Sequence, residues 1–138
     1  MSLIVTFKDL IMKKMLFDTD VLIEYLRGKD EAKAYIDNIK DVIYMSSITM
    51  AELYAGVRKG NEAKKLEIFI ETFEVISLNK NIAKTGGLYR NQYKPSHGTG
   101  LADALIAATA KEIGAQVITF NSKHFPMLND IVEPYVRD

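Results

Sequence analysis

Three carboxylates stand where a folded chain could gather them: Asp18, Glu52 and Asp103. Asp18 closes the short apolar run MLFD, and a buried strand has little reason to end in a carboxylate unless something uses it. The plainer reading is an N-cap for the helix TDVLIEYLRG that follows, because aspartate caps well. Glu52 lies three residues after Thr49, so its plainer reading is a capping box. Asp103 falls in the first turn of LADALIAATA, a stretch so evenly small and apolar that it reads as a buried helix. Facing outward, Asp103 would simply complement the helix N-terminus. On a buried helix it must be paired, hydrogen-bonded or bound to metal. Converging carboxylates raise one another's pKa unless a cation offsets the repulsion. No basic residue adjoins any of the three. A divalent ion is therefore the expected counter-charge, and Mg²⁺ or Mn²⁺ suits an all-oxygen site, with Asp18, Glu52 and Asp103 as its ligands. Such an ion can lower the pKa of a water and stabilise charge on a phosphoryl oxygen.

Three further side chains adjoin this set in sequence. Asp20, in Asp18-Thr19-Asp20, is expected at the rim of the same pocket. Asn121 is either the N-cap of a short helix or a neutral ligand or water-positioning group. Thr119 is either an ordinary β-branched strand residue or a hydroxyl that bonds a carboxylate or the attacking water.

The elements that must position these residues follow from periodicity. Strands are expected over residues 15–18, 42–47, 73–78 and 116–120, with IVEPYV adding an edge strand because Pro134 would forbid a central one. Helices are expected between them. The first carries Leu22, Ile23 and Leu26 inward and stops at Gly28. The second has Ala34, Tyr35 and Ile39 on one side. The third starts at a Thr49 cap. A fourth turns Leu66, Phe69 and Ile70 inward. A helix from Asn79 ends near Tyr93, before a loop over residues 95–100, and the last runs from Leu101 to Gly114. Alternating strands and helices imply right-handed βαβ units: a three-layer α/β/α sandwich with a central parallel sheet. Sheets of this kind carry their sites at the carboxyl ends of the strands, where Asp18 and Asn121 fall.

Composition narrows the classes. The 138 residues suit one domain, and 48% hydrophobic residues make it globular. Eighteen basic residues balance eighteen acidic ones, so any hold on nucleic acid must come from local patches. Arg27, Lys29, Arg58, Lys59, Arg90 and Lys94 are candidates for positioning RNA, each equally readable as a solvated surface charge. With no cysteine, disulfides, zinc-thiolate sites and cysteine nucleophiles are excluded. The two histidines are too few for a histidine-rich zinc site: His97 reads as a solvated loop residue or an RNA contact, His124 as peripheral, and neither has the partner a general base needs. No apolar run reaches the roughly 18 residues of a membrane span, so the expected location is cytoplasmic. MSLIVTFKDLIMKK, residues 1–14, reads as a leader or extension outside the fold argument.

Taken in order, MLFDTDVLIEYL, SSITMAELYAGV, GLADALIAATA and VITFNSKHF resemble the PIN-domain ribonucleases, in particular the VapC toxins of toxin–antitoxin pairs. The segments span residues 15–125, and four motifs in order are far more specific than any one. The resemblance implies an α/β/α fold and a Mg²⁺- or Mn²⁺-dependent endoribonuclease. It carries the family acids onto Asp18, Glu52 and Asp103. The fourth position falls on Asn121, where many members have aspartate, and Thr119 matches a hydroxyl often found beside the site. It also implies a homodimer and a small antitoxin partner whose C-terminal segment covers the acidic pocket. Leu53, Tyr54 and Val57, on the Glu52 helix, are expected to form part of the apolar groove that receives it. Two other readings stand beside this one. Asp18-Thr19-Asp20 also resembles the first motif of haloacid-dehalogenase-type phosphatases, although the chain is short and no later lysine precedes a paired-acid loop at the expected place. A catalytically weak PIN domain serving as a protein-binding module is the non-enzymatic alternative, supported by asparagine at position 121.

Overall fold

The computed structural model describes residues 13–137. Strands β1 (Lys14–Phe17), β2 (Ile43–Ser46), β3 (Glu74–Ile76), β4 (Ala115–Ile118) and β5 (Ile131–Val132) form one sheet in the order β3-β2-β1-β4-β5. All four pairings are parallel. The connecting helices are α1 (Thr19–Leu26), α2 (Asp30–Asp37), α3 (Ser47–Ala55), α4 (Glu62–Ile70), α5 (Lys80–His97) and α6 (Leu101–Ile113), with a 3₁₀ turn at Ser122–His124. This is the expected three-layer α/β/α sandwich. The chain leaves β1 toward β2 on one side and returns to β4 on the other. The carboxyl ends of β1 and β4 therefore flank the point where the winding reverses, the usual ligand crevice of such sheets.

The period-two alternation of β1 and β4 builds both faces of the sheet. Phe17 and Ile118 join Val21, Leu22, Met45, Leu66 and Phe73 on one side, beneath α1 and α4. Leu16 and Val117 join Ile106, Ala107, Ala110 and Phe125 on the other. Each of the large apolar side chains among these contributes on the order of 1.5–3 kcal/mol over its exposed state. As its apolar sequence demands, α6 is buried over most of its surface from Ala104 to Ala110.

Several boundaries differ from expectation. The cap of α3 is Ser46, whose Oγ accepts from the Ile48 amide, and not Thr49. Glu52 therefore sits one turn further into the helix than a capping box requires. The inward face of α2 is Ala32, Tyr35 and Ile36, while Ala34 is exposed. The fourth strand ends at Ile118, leaving Thr119 and Phe120 just beyond it. Helix α5 does not stop near Tyr93 but continues through Pro95 to His97, and the left-handed Gly98 closes it by donating to the Lys94 carbonyl. A proline in the last turn removes one hydrogen bond without ending the helix. Of the stretch expected to lie outside the fold, residues 1–12 are outside the described residues, but Lys14 pairs with Ala115 in the sheet and Lys13 forms an ion pair with Asp130.

Helix α5 is anchored on α6 through Gly86, where an added Cβ would lie 2.6 Å from Leu105 Cδ2 and 3.1 Å from Leu105 Cα. The neighbouring Gly87 faces open space. Alanine gains up to about 1 kcal/mol over glycine in a helix interior. Overpacking costs about 1–3 kcal/mol. Gly87→Ala should therefore raise stability and Gly86→Ala lower it, a difference in sign that paired denaturant titrations would register. Equal stabilisation by both would show that α5 does not bear on α6 at this glycine.

Candidate functional site

Asp18 is the residue after β1 and caps α1, its Oδ1 accepting from the Thr19 amide at 2.8 Å. Its Oδ2 accepts from the Thr119 hydroxyl at 2.7 Å. The N-cap reading holds for one oxygen, and the other faces the residue just past β4. Asp18 is only 5% exposed and Thr119 is fully buried. Burial, first, and the nearby Asp20 charge, second, push the Asp18 carboxyl up from its ordinary 3.8 to about 7. The bonds from Thr119 and Thr19 hold it down, and the field of Asp103 adds to the rise.

Asp20 lies deeper than a rim position. Its Oδ2 accepts from the Phe120 amide and from Asn121 Nδ2, each at 3.1 Å. Burial raises its pKa, while the Phe120 and Val21 amides and the more distant Arg137 charge oppose the rise. Its Oδ1 is buried without a hydrogen-bond partner among the described residues, the Val21 amide being close without completing a bond. Asn121 stands at the N-cap of the 3₁₀ turn but makes no side-chain cap; it spends its amide on Asp20, and its backbone N–H donates to Thr119 Oγ1 at 3.0 Å.

Glu52 is an exposed residue of α3 that touches the Asp18 segment only through Thr19. The Thr19 hydroxyl donates to its Oε1 at 2.6 Å and lies 3.0 Å from the hydroxyl of the buried Thr49. Asp103 sits in the first turn of α6, where its Oδ2 lies 3.4 Å from the Gly100 amide and 3.4 Å from His124 Nδ1. Sequence reasoning set His124 aside as peripheral and overlooked the Thr19 hydroxyl. The only available signal for the histidine was its place three residues after Asn121, one tight turn from the site. His97 is exposed at the end of α5, beside Tyr93 and Ser96.

No three acidic or histidine side chains among the described residues stand close enough to form a ready-made metal cage. Threonine hydroxyls touch Asp18 and Glu52, and the charges of Asp20 and Asp103 are felt at Asp18. That arrangement still fits a hard divalent ion. A carboxylate pushed up to about 7 by burial and then by the Asp20 charge, and an unpartnered Asp20 Oδ1, are what a cation would relieve. Mg²⁺ in particular keeps several waters and needs only one or two protein carboxylates.

Residues 15–128 match the family model described as the PIN domain. The chain belongs to the PIN-domain family. Among curated PIN-domain relatives, ribonuclease VapC19 of Mycobacterium tuberculosis is 37% identical over 87% of this chain and 98% of its own length. Toxin FitB of Neisseria gonorrhoeae is 31% identical over 80% of this chain and 90% of its own. A toxin–antitoxin complex from Klebsiella pneumoniae contains a chain that superposes with a TM-score of 0.77 at 32% identity, covering 88% of this chain and 98% of that one. With the strand order and the placement of Asp18 after β1, these relatives set the fold as PIN-like.

Proposed function

We propose that this PIN domain is an endoribonuclease that cleaves single-stranded RNA with Mg²⁺ or Mn²⁺, acting as the toxin of a VapBC-type pair. The observation that carries the reading is the buried Asp18 carboxyl, repelled by the partly buried Asp20 and Asp103, at the winding reversal of the sheet. PIN ribonucleases as a class depend on divalent metal. Asp18, Asp103 and Glu52 would hold the ion, with Asp20 adding negative charge behind them. Each Asp18 oxygen takes one hydrogen bond and keeps lone-pair capacity for a cation. When bound, the ion supplies water activation and cover for the charge on the phosphorane oxygens. The protein holds its acids in place for that task. Thr119 fixes Asp18, Thr19 fixes Glu52, and Asn121 with the Phe120 amide fixes Asp20. Asn121 thus supports an acid where the sequence alone left open a ligand role.

Incubation with an end-labelled single-stranded RNA and, separately, a chromogenic phosphomonoester tests the reading. Internal RNA cleavage with no phosphomonoester turnover is the expected result. The converse would favour the phosphatase reading, against which the family match already stands. Binding of neither Mg²⁺ nor Mn²⁺ would favour a protein-binding module.

The antitoxin reading has its own surface. A cleft of about 560 Å³ between α1, α3 and α4 is lined by Ile23, Leu26, Leu53 and Val57, with Glu52 at its edge and Arg27, Arg58 and Lys65 on its rim. Leu53 is buried and Val57 partly so, whereas Tyr54 is exposed outside the cleft. Two of the three expected groove residues therefore line it. An amphipathic antitoxin segment laid there would place its apolar anchors on Leu26 and Val57. Leu26→Asp, at a position 42% exposed in the protein alone, should weaken antitoxin binding by tenfold or more and leave RNA cleavage unchanged. Undiminished binding by calorimetry would remove this cleft from the interface.

A further inference from the structure

His124 lies outside the acid set, yet it is held against it. Its backbone carbonyl accepts from the hydroxyl of Thr99 at 3.0 Å. Thr99 is fully buried in the turn that leads into α6, two residues before the helix begins. That bond ties the 3₁₀ turn after β4 to the start of the helix carrying Asp103. It brings His124 Nδ1 to 3.4 Å from Asp103 Oδ2, with both side chains about three-quarters buried at 29% and 26% exposure. The Gly100 amide lies near the same oxygen. Both nitrogen neighbours of Asp103 therefore gather on Oδ2. Its Oδ1 takes no hydrogen bond among the described residues and is left for another partner.

We propose that His124 is a positioning residue for Asp103: its Nδ1–H holds Oδ2 so that Oδ1 stays presented to the divalent ion. This rests on the metal-dependent reading of the site. A ligating carboxylate that rotates freely must be ordered when the ion binds, and an outer-shell hydrogen bond meets that cost in advance. Loss of such partners commonly weakens metal affinity by about tenfold to a hundredfold. The 3₁₀ turn also adjoins both halves of the site. Asn121 at its start donates to Asp20, and His124 at its end stands 3.4 Å from Asp103. One short turn thus lies beside both an acid that follows β1 and one that opens α6.

The test measures Mn²⁺ affinity by calorimetry on chelator-stripped protein, with the melting temperature of the metal-free form recorded alongside. Asparagine carries an amide nitrogen the same number of bonds from the backbone as His Nδ1, whereas glutamine carries it one bond further out. His124→Ala and His124→Gln are expected to bind Mn²⁺ about tenfold to a hundredfold more weakly. His124→Asn should stay within about threefold of the parent chain, since it restores a donor to the same place. Metal-free melting temperatures should agree across the set, because the imidazole is not part of the core. Parent-like affinity in the alanine variant would overturn the proposal. So would an asparagine variant as weak as alanine, which would assign the effect to ring packing. No Mn²⁺ binding by the parent chain would instead overturn the metal reading itself, and the positioning role with it.

Discussion

Asp18→Asn is expected to lower RNA cleavage by about a hundredfold or more, the scale on which a key electrostatic group is lost, while the metal-free fold survives. Asparagine keeps the shape of aspartate. Its oxygen can still accept from the Thr19 amide, and its NH₂ can donate to Thr119 Oγ1, which already accepts from the Asn121 amide. The substitution removes one negative charge from a site where Asp20 and Asp103 repel it. Metal affinity should fall for the same reason that metal-free stability should hold or rise. Asp103→Asn should behave alike but with a smaller gain in stability, because Asp103 is more exposed. Parent-like activity in Asp18→Asn would remove Asp18 from the site. A collapsed metal-free fold would show that its charge serves as structural glue.

The second large effect is on stability against pH. The Asp18 carboxyl ordinarily titrates near 3.8 and is pushed up to about 7 in the fold. Between those values the folded chain keeps a proton that the unfolded chain has released. Folding then takes up a proton, and stability falls as pH rises through this window. Below about 3.8 the group is neutral in both states, and above about 7 the full cost of the buried charge is present. At about 1.4 kcal/mol for each pKa unit, the loss across the window is a few kcal/mol. The raised Asp20 carboxyl acts in the same direction. The chelator-stripped protein should therefore melt several degrees higher at pH 5 than at pH 8. A divalent ion takes the place of the proton, so Mn²⁺ should raise the melting temperature strongly at pH 8 and little at pH 5. Asp18→Asn should flatten both dependences. Melting that rises with pH in the stripped parent chain would contradict the electrostatic account of the site.

The parallel sandwich was legible in the sequence because its signals are long-range repetitions: apolar runs alternate with helical periodicity, and LADALIAATA declares its own burial. The positions of Asp18 and Asn121 just past strands followed from that pattern alone. What stayed hidden was set by contacts between distant segments. Thr119 pairs with Asp18 across 101 residues, and Asp20 turns inward because the Phe120 amide and Asn121 meet it there. Neither a local propensity nor a spacing rule reports such a meeting. His124 looked peripheral because its link to Asp103 passes through a buried Thr99 bond with no sequence signature. Errors at helix ends had local causes. Ser46 and Thr49 are both good caps, and only the packed structure chooses Ser46, freeing Thr49 to meet Thr19. Pro95 read as a breaker, yet the left-handed Gly98 three residues later is what ends the helix.

Whether these acids act on RNA through a divalent ion is decided by following cleavage of single-stranded RNA by the chelator-stripped protein, with Mg²⁺ or Mn²⁺ added back, beside Asp103→Asn under the same conditions. Cleavage should be absent in EDTA, return with either ion, and run at no more than about a hundredth of that rate in the variant. Undiminished cleavage in EDTA, or equal rates from the two proteins, would contradict metal-dependent action by these acids.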